Sequence, residues 1–304
     1  MNSKKLIVIG GPTASGKTTL SIELAQYFNC PILSADSRQF YREMSIGTAK
    51  PTPAELEQVQ HYFINSRSIH DDYSVGDYER DALALTMELF KTNDYLILVG
   101  GSGLFIDALT IGLNEFPPIS DATKAYFKSI YQKEGLAKLQ ALLKEADPDY
   151  YELVDLENPV RILRALEVCK ESGNTFTSFR SKALPPRPFE STYFALDWER
   201  SVLYDRINKR VDQMIQFGLL EEAKTLYPHR ALNALQTVGY KELFEYMDNQ
   251  LTLDEAIDLI KRNSRRYAKR QMTWFKRSNK YHWLDTHTNP YLESALNYIK
   301  KTVR

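Results

Sequence analysis

Eight residues near the N-terminus, Gly11-Pro-Thr-Ala-Ser-Gly16-Lys17-Thr18, follow the pattern G-x4-G-K-T. They come directly after an apolar, β-branched run at residues 6–9 and directly before residues with helical periodicity. In that setting the pattern has a mechanical reading. Glycines let successive backbone N–H groups curl around a phosphate, the helix N-terminus adds positive potential, and Lys17 reaches the terminal phosphate. Thr18 supplies a hydroxyl to a magnesium ion. Gly11, Pro12, Thr13, Ala14, Ser15 and Gly16, with Lys17 and Thr18, are therefore the candidate phosphate-binding residues.

The acid that would complete a nucleotide-hydrolysing site is not where such enzymes keep it. A hydrophobic strand ending in aspartate usually holds the metal, but the apolar run at 96–99 continues into Gly100-Gly-Ser-Gly103. Asp36 instead closes a second short apolar run, residues 31–35. In a parallel sheet the strand C-termini share one edge with the loop after the first strand, so Asp36 faces the phosphates. A carboxylate there can act as a general base toward an attacking acceptor or support a metal ion from outside its ligand set. The competing reading is a helix N-cap with Ser37. Together these residues point to a group transferase rather than an ATP-hydrolysing motor.

Positioning these groups requires alternating strands and helices. Residues 18–28 and 78–90 have helical spacing, and residues 95–99 and 193–196 read as further strands. The expected fold is α/β: a P-loop-type doubly wound parallel sheet. Pro117-Pro118 interrupts it, about 60 acid-rich helical residues follow, and Pro185-Pro186-Arg187-Pro188 closes the stretch. We read residues 1–114 with 190–304 as the catalytic core and 115–189 as a helical insertion. From residue 202 onward nearly everything reads as helix, giving a helical C-terminal region.

The chain of 304 residues carries 39 basic and 39 acidic side chains, which taken whole argues against a histone-like polycation. Split by region, the balance is +1 for residues 1–60, −9 for 61–160 and +8 for 161–304. Residues 261–280 hold nine lysines and arginines and no acid, an asymmetry that suggests a polyanionic partner. Thr252-Leu-Asp-Glu255 has the form of a capping box opening a helix there. Along that helix Ile257, Ile260, Tyr267 and Trp274 can share a core stripe, while Arg265, Arg266 and Lys269 fall on a cationic face suited to RNA phosphates. Arg161 and Arg164 form a second basic pair, with helix-surface pairing to Glu157 or Glu167 as the alternative. Two cysteines exclude a disulfide framework, and no Cys/His cluster has zinc spacing. Apolar runs are too short for a membrane span, so a cytoplasmic protein is expected.

GPTASGKTTL at 11–20, ADSRQFY at 35–41, IGTAKPT at 46–52 and GGSGLFI at 100–106 follow in order. NPVRILRALEV at 158–168, RVDQMIQFGLLEE at 210–222, VGYKEL at 238–243 and RQMTWFKR at 270–277 complete the series. In order and spacing these motifs resemble the bacterial tRNA dimethylallyltransferases over nearly the whole chain. The resemblance implies transfer of a dimethylallyl group from its diphosphate to the exocyclic amine of the adenine 3′ of the anticodon, in tRNAs reading codons that begin with U. Diphosphate, rather than a nucleoside triphosphate, would then occupy the phosphate loop with Mg²⁺.

By the same resemblance, Asp36, Ser37, Arg38 and Gln39 meet the target base and its neighbours. Ser102 and Val160, Arg161, Ile162, Leu163 and Arg164 contact the tRNA anticodon stem-loop. Lys17, Thr18, Asp36 and Ser102 are the candidate catalytic set, and the protein is expected to act as a monomer without an obligate protein partner. Two positions depart from the pattern: Ser102 stands where Thr is usual, and Phe105 where Tyr is usual. A flipped base needs an aromatic to stack on, and Phe40, Tyr41 and Phe105 are candidates, each with core packing as the competing role. Three other readings use parts of the same motifs: a small-molecule kinase, an adenylate isopentenyltransferase acting on free AMP or ADP, and a non-enzymatic P-loop RNA-binding switch.

Overall fold

A computed structural model describes residues 4–180, 183–286 and 291–302. Its first half alternates β1 (Lys5–Gly10), α1 (Lys17–Phe28), β2 (Ile32–Ser34), α2 (Pro53–Gln58), β3 (His61–Tyr62), α3 (Val75–Leu89), β4 (Tyr95–Gly100) and α4 (Gly103–Thr110). Helices α5 (Asp121–Ala146), α6 (Pro148–Leu153), α7 (Pro159–Ser172) and α8 (Phe176–Arg180) follow. The chain then forms β5 (Glu190–Asp197), α9 (Arg200–Gln216), α10 (Leu219–Leu226), α11 (Tyr240–Met247), α12 (Leu253–Lys276), β6 (Tyr281–Asp285) and α13 (Tyr291–Thr302). It divides into two compact units, residues 1–111 with 187–304, and residues 112–186.

Among the described residues of the first unit, six strands form one sheet in the order β3-β2-β4-β1-β5-β6, all parallel. Burial on both faces explains why the central strands are continuous apolar runs. Leu6 and Val8 of β1 enter one core with Leu96, Leu98, Ile106 and Leu109. Ile7 and Ile9 enter the opposite core with Leu20, Leu24, Ile32 and Ile97. Helix α1 thus covers one face and α4 the other, as in a doubly wound sheet. Adjacent strands β1 and β4 send their chains to opposite faces, which opens a crevice at their C-terminal ends. Gly10 and Gly100, paired in register, lie at that edge.

The C-terminal region departs from the all-helical expectation at β6, which pairs with β5 in register Tyr193↔Tyr281 to Asp197↔Asp285. Its sequence, YHWLD, is rich in aromatics, and it becomes a strand by pairing along β5. Helix α12 begins where expected: the Thr252 hydroxyl accepts the Glu255 N–H, and the Glu255 carboxylate accepts the Thr252 N–H in return. Its core stripe includes Ile260 as expected, with Ile257 and Trp274 packed against the cores, and departs from expectation at Tyr267. The buried positions are Ala256, Ile260, Ala268, Gln271 and Phe275, while Ile257, Tyr267 and Trp274 are only half-buried. A Cβ on Gly103 would lie 2.1 Å from the Trp274 indole nitrogen, so the GGSG turn and the TWF segment of α12 interlock only because position 103 is glycine.

The second unit has its own core, built by Phe127, Leu139, Leu143, Ile162, Leu166 and Phe176. Helix α5 breaks at Gly135, whose φ is 77°. Asp147, 1% exposed, accepts from the Tyr150 and Thr177 N–H groups and from the Thr177 hydroxyl, tying α6 to α8. No helix among the described residues is long and apolar enough to cross a membrane.

Candidate active site

The phosphate loop spans β1 and α1 as its sequence requires. Gly16 caps α1 in the left-handed region at φ 94°, with no side-chain cap on the first turn, so the N-terminal amides remain available to an anion. The Ser15 hydroxyl is buried, with no hydrogen-bond partner among the described residues. Lys17 Nζ donates to the Pro12 carbonyl at 2.6 Å. Burial first, and then the Arg210 charge, bring its pKa down to about 7, with Asp36 opposing both. A lysine so placed gains strongly from an incoming anion.

Three residues outside the loop hold it in shape. Arg206 of α9 donates to the Ala14 carbonyl at 2.8 Å, and Arg210 to the Thr13 hydroxyl at 3.2 Å. Gln271 of α12 accepts the Thr13 N–H at 3.0 Å. Burial, then the neighbouring Arg206 charge, lowers the Arg210 pKa. Two cations, Lys17 and Arg210, therefore converge where little water screens them.

A cavity of about 700 Å³ opens from the loop. Thr13, Lys17, Thr18, Asp36, Ser37, Arg38, Gln39 and Arg210 are among its lining residues. A second, of about 400 Å³, shares Lys17, Thr18 and Arg210 and adds Ala14, Ser15, Gly16, Lys50 and Lys209. Gly11 and Pro12 complete the loop without lining either. Asp36 caps no helix: a turn follows it, and its carboxylate accepts the Arg38 N–H at 2.9 Å. The Ser102 hydroxyl accepts the Ser37 N–H at 3.3 Å and donates to the Ser37 hydroxyl at 3.2 Å. Gln39 donates to the Thr48 and Ala49 carbonyls, and Arg38 to the Asn233 carbonyl.

The segment at 45–49 is itself clamped. One carboxylate, Glu222 of α10, accepts the Ser45, Ile46 and Gly47 N–H groups at 2.8–2.9 Å and the Tyr240 hydroxyl at 2.6 Å. The structure thus links the motifs at 46–52, 210–222 and 238–243 through one side chain.

Phe40 and Tyr41 are buried, at 1% and 6% exposure. Phe105 is half-buried and packs against Phe40 and Tyr78 with ring centroids 5.6 and 5.1 Å apart. Among the described residues, the His61 ring lines the cavity, and the one Phe, Tyr or Trp that does so is Tyr267. Burial and the facing Asp36 raise its pKa to about 12, with the Ser102 hydroxyl pulling the other way.

The basic helix separates into two rows. Arg262, Arg266 and Arg270 line the cavity. Lys261 pairs with Asp212 at 2.6 Å, and Arg265 donates to the Asn208 side chain at 2.6 Å, both on α9. Lys269 is exposed. In the second unit, Asn158 caps α7, Val160 is 72% exposed, and Arg161 and Arg164 are exposed. Arg164 stands 5.7 Å over the Phe116 ring. Ile162 is fully buried in that unit's core and Leu163 half-buried, so the outward-facing members of the motif are Val160, Arg161 and Arg164.

Sequence reasoning missed Arg206, Arg210, Tyr267 and Gln271 as site residues. Their signal was present: Arg210 opens the motif at 210–222 and Gln271 stands second in the one at 270–277. Among the described residues no cluster of three or more His, Cys, Asp or Glu could hold a metal. The Thr18 hydroxyl with Asp36 nearby suits a hard cation held mainly by substrate oxygens and water.

A phosphate loop on a parallel sheet, opening into a cavity that also holds a carboxylate, defines a P-loop-type group transferase. A family model described as IPP transferase matches residues 39–278. The chain is 51% identical to a tRNA dimethylallyltransferase of Flavobacterium johnsoniae, covering 99% of each chain. It is 45% identical to tRNA dimethylallyltransferase 1 of Bacteroides fragilis over the full length of both. A crystal structure of tRNA isopentenylpyrophosphate transferase from Bacillus halodurans superposes with TM-score 0.74 at 37% identity, covering 99% of this chain and 97% of that one. A eukaryotic dimethylallyltransferase acting on tRNA gives TM-score 0.83 at 25% identity, over 98% of this chain and 80% of that one. The chain belongs to the IPP transferase family of prenyl-transferring enzymes.

Proposed function

We propose that the protein transfers a dimethylallyl group from dimethylallyl diphosphate to the exocyclic amine of an adenine in tRNA, releasing diphosphate. The observation that carries this reading is a single cavity lined by Lys17, Arg210 and Asp36 and by the arginine row of α12. As the resemblance implies, the adenine is the one 3′ of the anticodon in tRNAs reading codons that begin with U.

The amine is a weak nucleophile because its lone pair is delocalised into the ring, so the donor must do most of the work. An allylic carbon parts readily from diphosphate once the leaving charge is met. Lys17, Arg210 and the loop amides meet it, in surroundings where each counts for more than in water. The allylic C–O bond breaks, the amine nitrogen forms the new C–N bond, and Asp36 accepts the proton the nitrogen sheds. The Thr18 hydroxyl would help to hold Mg²⁺, which would supply Lewis-acid stabilisation of the leaving group.

Ser102 keeps the Ser37 hydroxyl in place beside Asp36. Arg38 and Gln39 border the base, Tyr267 offers the stacking ring, and Arg262, Arg266 and Arg270 meet RNA phosphates. The N-terminus of α7, with Val160, Arg161 and Arg164, is a second RNA-contacting surface, since helix N-terminal potential and arginines both favour phosphate. The enzyme acts as a cytoplasmic monomer.

Incubation with labelled dimethylallyl diphosphate and Mg²⁺, offering tRNA, AMP or no acceptor, tests the assignment. Label entering tRNA supports it. Label entering AMP alone overturns it in favour of an adenylate prenyltransferase.

A further inference from the structure

Helix α12 sends one uncharged amide into the interior: Gln271, 7% exposed. Its oxygen accepts the Thr13 N–H at 3.0 Å, and its nitrogen donates to the Gly101 carbonyl at 2.9 Å. Thr13 belongs to the phosphate loop, where Arg210 also holds its hydroxyl. Gly101 precedes Ser102, whose hydroxyl is bonded to the backbone and side chain of Ser37, next to Asp36. One side chain is thus bonded on its two ends to the donor-binding and acceptor-facing halves of the site. A glutamine is suited to this, since it presents one acceptor and one donor in a fixed plane.

We propose that Gln271 is a positioning residue that sets the spacing between the diphosphate loop and the Asp36–Ser37 segment, and so decides whether the allyl group passes to the amine or to water. The inference rests on the reading under Proposed function. In the coupled reaction, the allylic C–O bond breaks with its electron pair leaving on diphosphate. The amine then forms the C–N bond and gives its proton to Asp36. When the amine is held away from the allylic carbon, a water oxygen forms the C–O bond instead and loses its proton to diphosphate. The products of that path are dimethylallyl alcohol and diphosphate, with no change in the tRNA.

Gln271→Glu separates the two bonds. It keeps the shape and the acceptor for Thr13, but turns a carboxylate oxygen toward the Gly101 carbonyl where a donor stood. Diphosphate released per dimethylallyl group transferred is measured with intact tRNA, together with kcat and both KM values. The wild type should give a ratio of one. For Gln271→Glu we expect transfer to fall by roughly 10²-fold, as for a misplacement near 1 Å. Both KM values should stay within a few-fold of wild type, and the ratio should rise to two or more.

A merely structural role lowers the number of active molecules and leaves the ratio at one, so a ratio of one at any rate overturns the proposal. If Gln271→Glu does not fold, Gly101→Ala decides on the same ratio, because its Cβ would lie 2.4 Å from the Gln271 amide nitrogen. A wild type that labels no tRNA refutes the assigned function. A coupled wild type with coupled variants refutes only the role of Gln271.

Discussion

In the proposed mechanism Lys17 meets the leaving diphosphate and Asp36 takes the proton of the amine, and each makes a separate measurable difference. Asp36→Ala removes the proton acceptor, so turnover should fall by about 10²–10⁴-fold while tRNA affinity stays within a few-fold. Single-turnover kinetics beside a filter-binding assay check this, and near-normal turnover would exclude Asp36 as the base. Lys17 shows itself in stability. Its pKa is 10.5 as a free side chain and about 7 in the folded protein, so between those values the unfolded chain binds one more proton than the folded one. The penalty for burying the cation is complete below pH 7 and fades as pH rises toward 10.5. Ligand-free protein should therefore gain stability over that window, and Lys17→Met should flatten the gain. Denaturant midpoints measured across pH 7–10 test the sign, and equal slopes in the two proteins would contradict it.

At the scale of elements, α12 does more than the charge pattern suggests. Seven of the nine cations at 261–280 lie on α12 and read as one face, but helical geometry separates two rows among them. The Lys261 and Arg265 row is engaged with α9, and the Arg262, Arg266 and Arg270 row faces the cavity. Replacing Arg266 and Arg270 with Gln should raise the KM for tRNA and reduce the slope of log affinity against log salt by about 0.7–0.9 for each phosphate left without its arginine. Arg265→Gln should leave that slope close to wild type. Equal salt slopes for the double variant and the wild type would take this row off the RNA-binding face. The sequence shows the helix and its start plainly, through the capping box and the charge run. Which cations meet α9 depends on Asp212 and Asn208, some fifty residues away, and no local pattern encodes that.

For the molecule as a whole, the two-unit division puts the proposed diphosphate site and the proposed RNA-contacting motif of α7 in different units. Every residue assigned to the diphosphate lies in the first unit, while the α7 motif lies in the second. The chain leaves and returns at neighbouring points: Arg187 bonds the Ala108 and Leu109 carbonyls at 2.7 and 2.9 Å and pairs with Glu79. A short Gly/Ser linker in place of residues 112–186 can therefore bridge the gap. That protein should bind diphosphate within a few-fold of the full chain, by calorimetry, while its KM for tRNA rises at least tenfold. Unchanged tRNA kinetics would show that the second unit takes no part in RNA binding.

By itself the sequence determined the phosphate loop, the parallel sheet beneath it, the carboxylate at Asp36 and the start of α12. Each rests on spacing within a few consecutive residues, where backbone geometry is local. Tertiary structure alone decided that Arg206 and Arg210 from α9 and Gln271 from α12 brace the loop. It also decided that Glu222 clamps residues 45–47 and that Tyr267 lines the cavity. Those roles join segments up to 258 residues apart. They exist because a buried amide, carboxylate or guanidinium must find partners wherever the packed chain brings them.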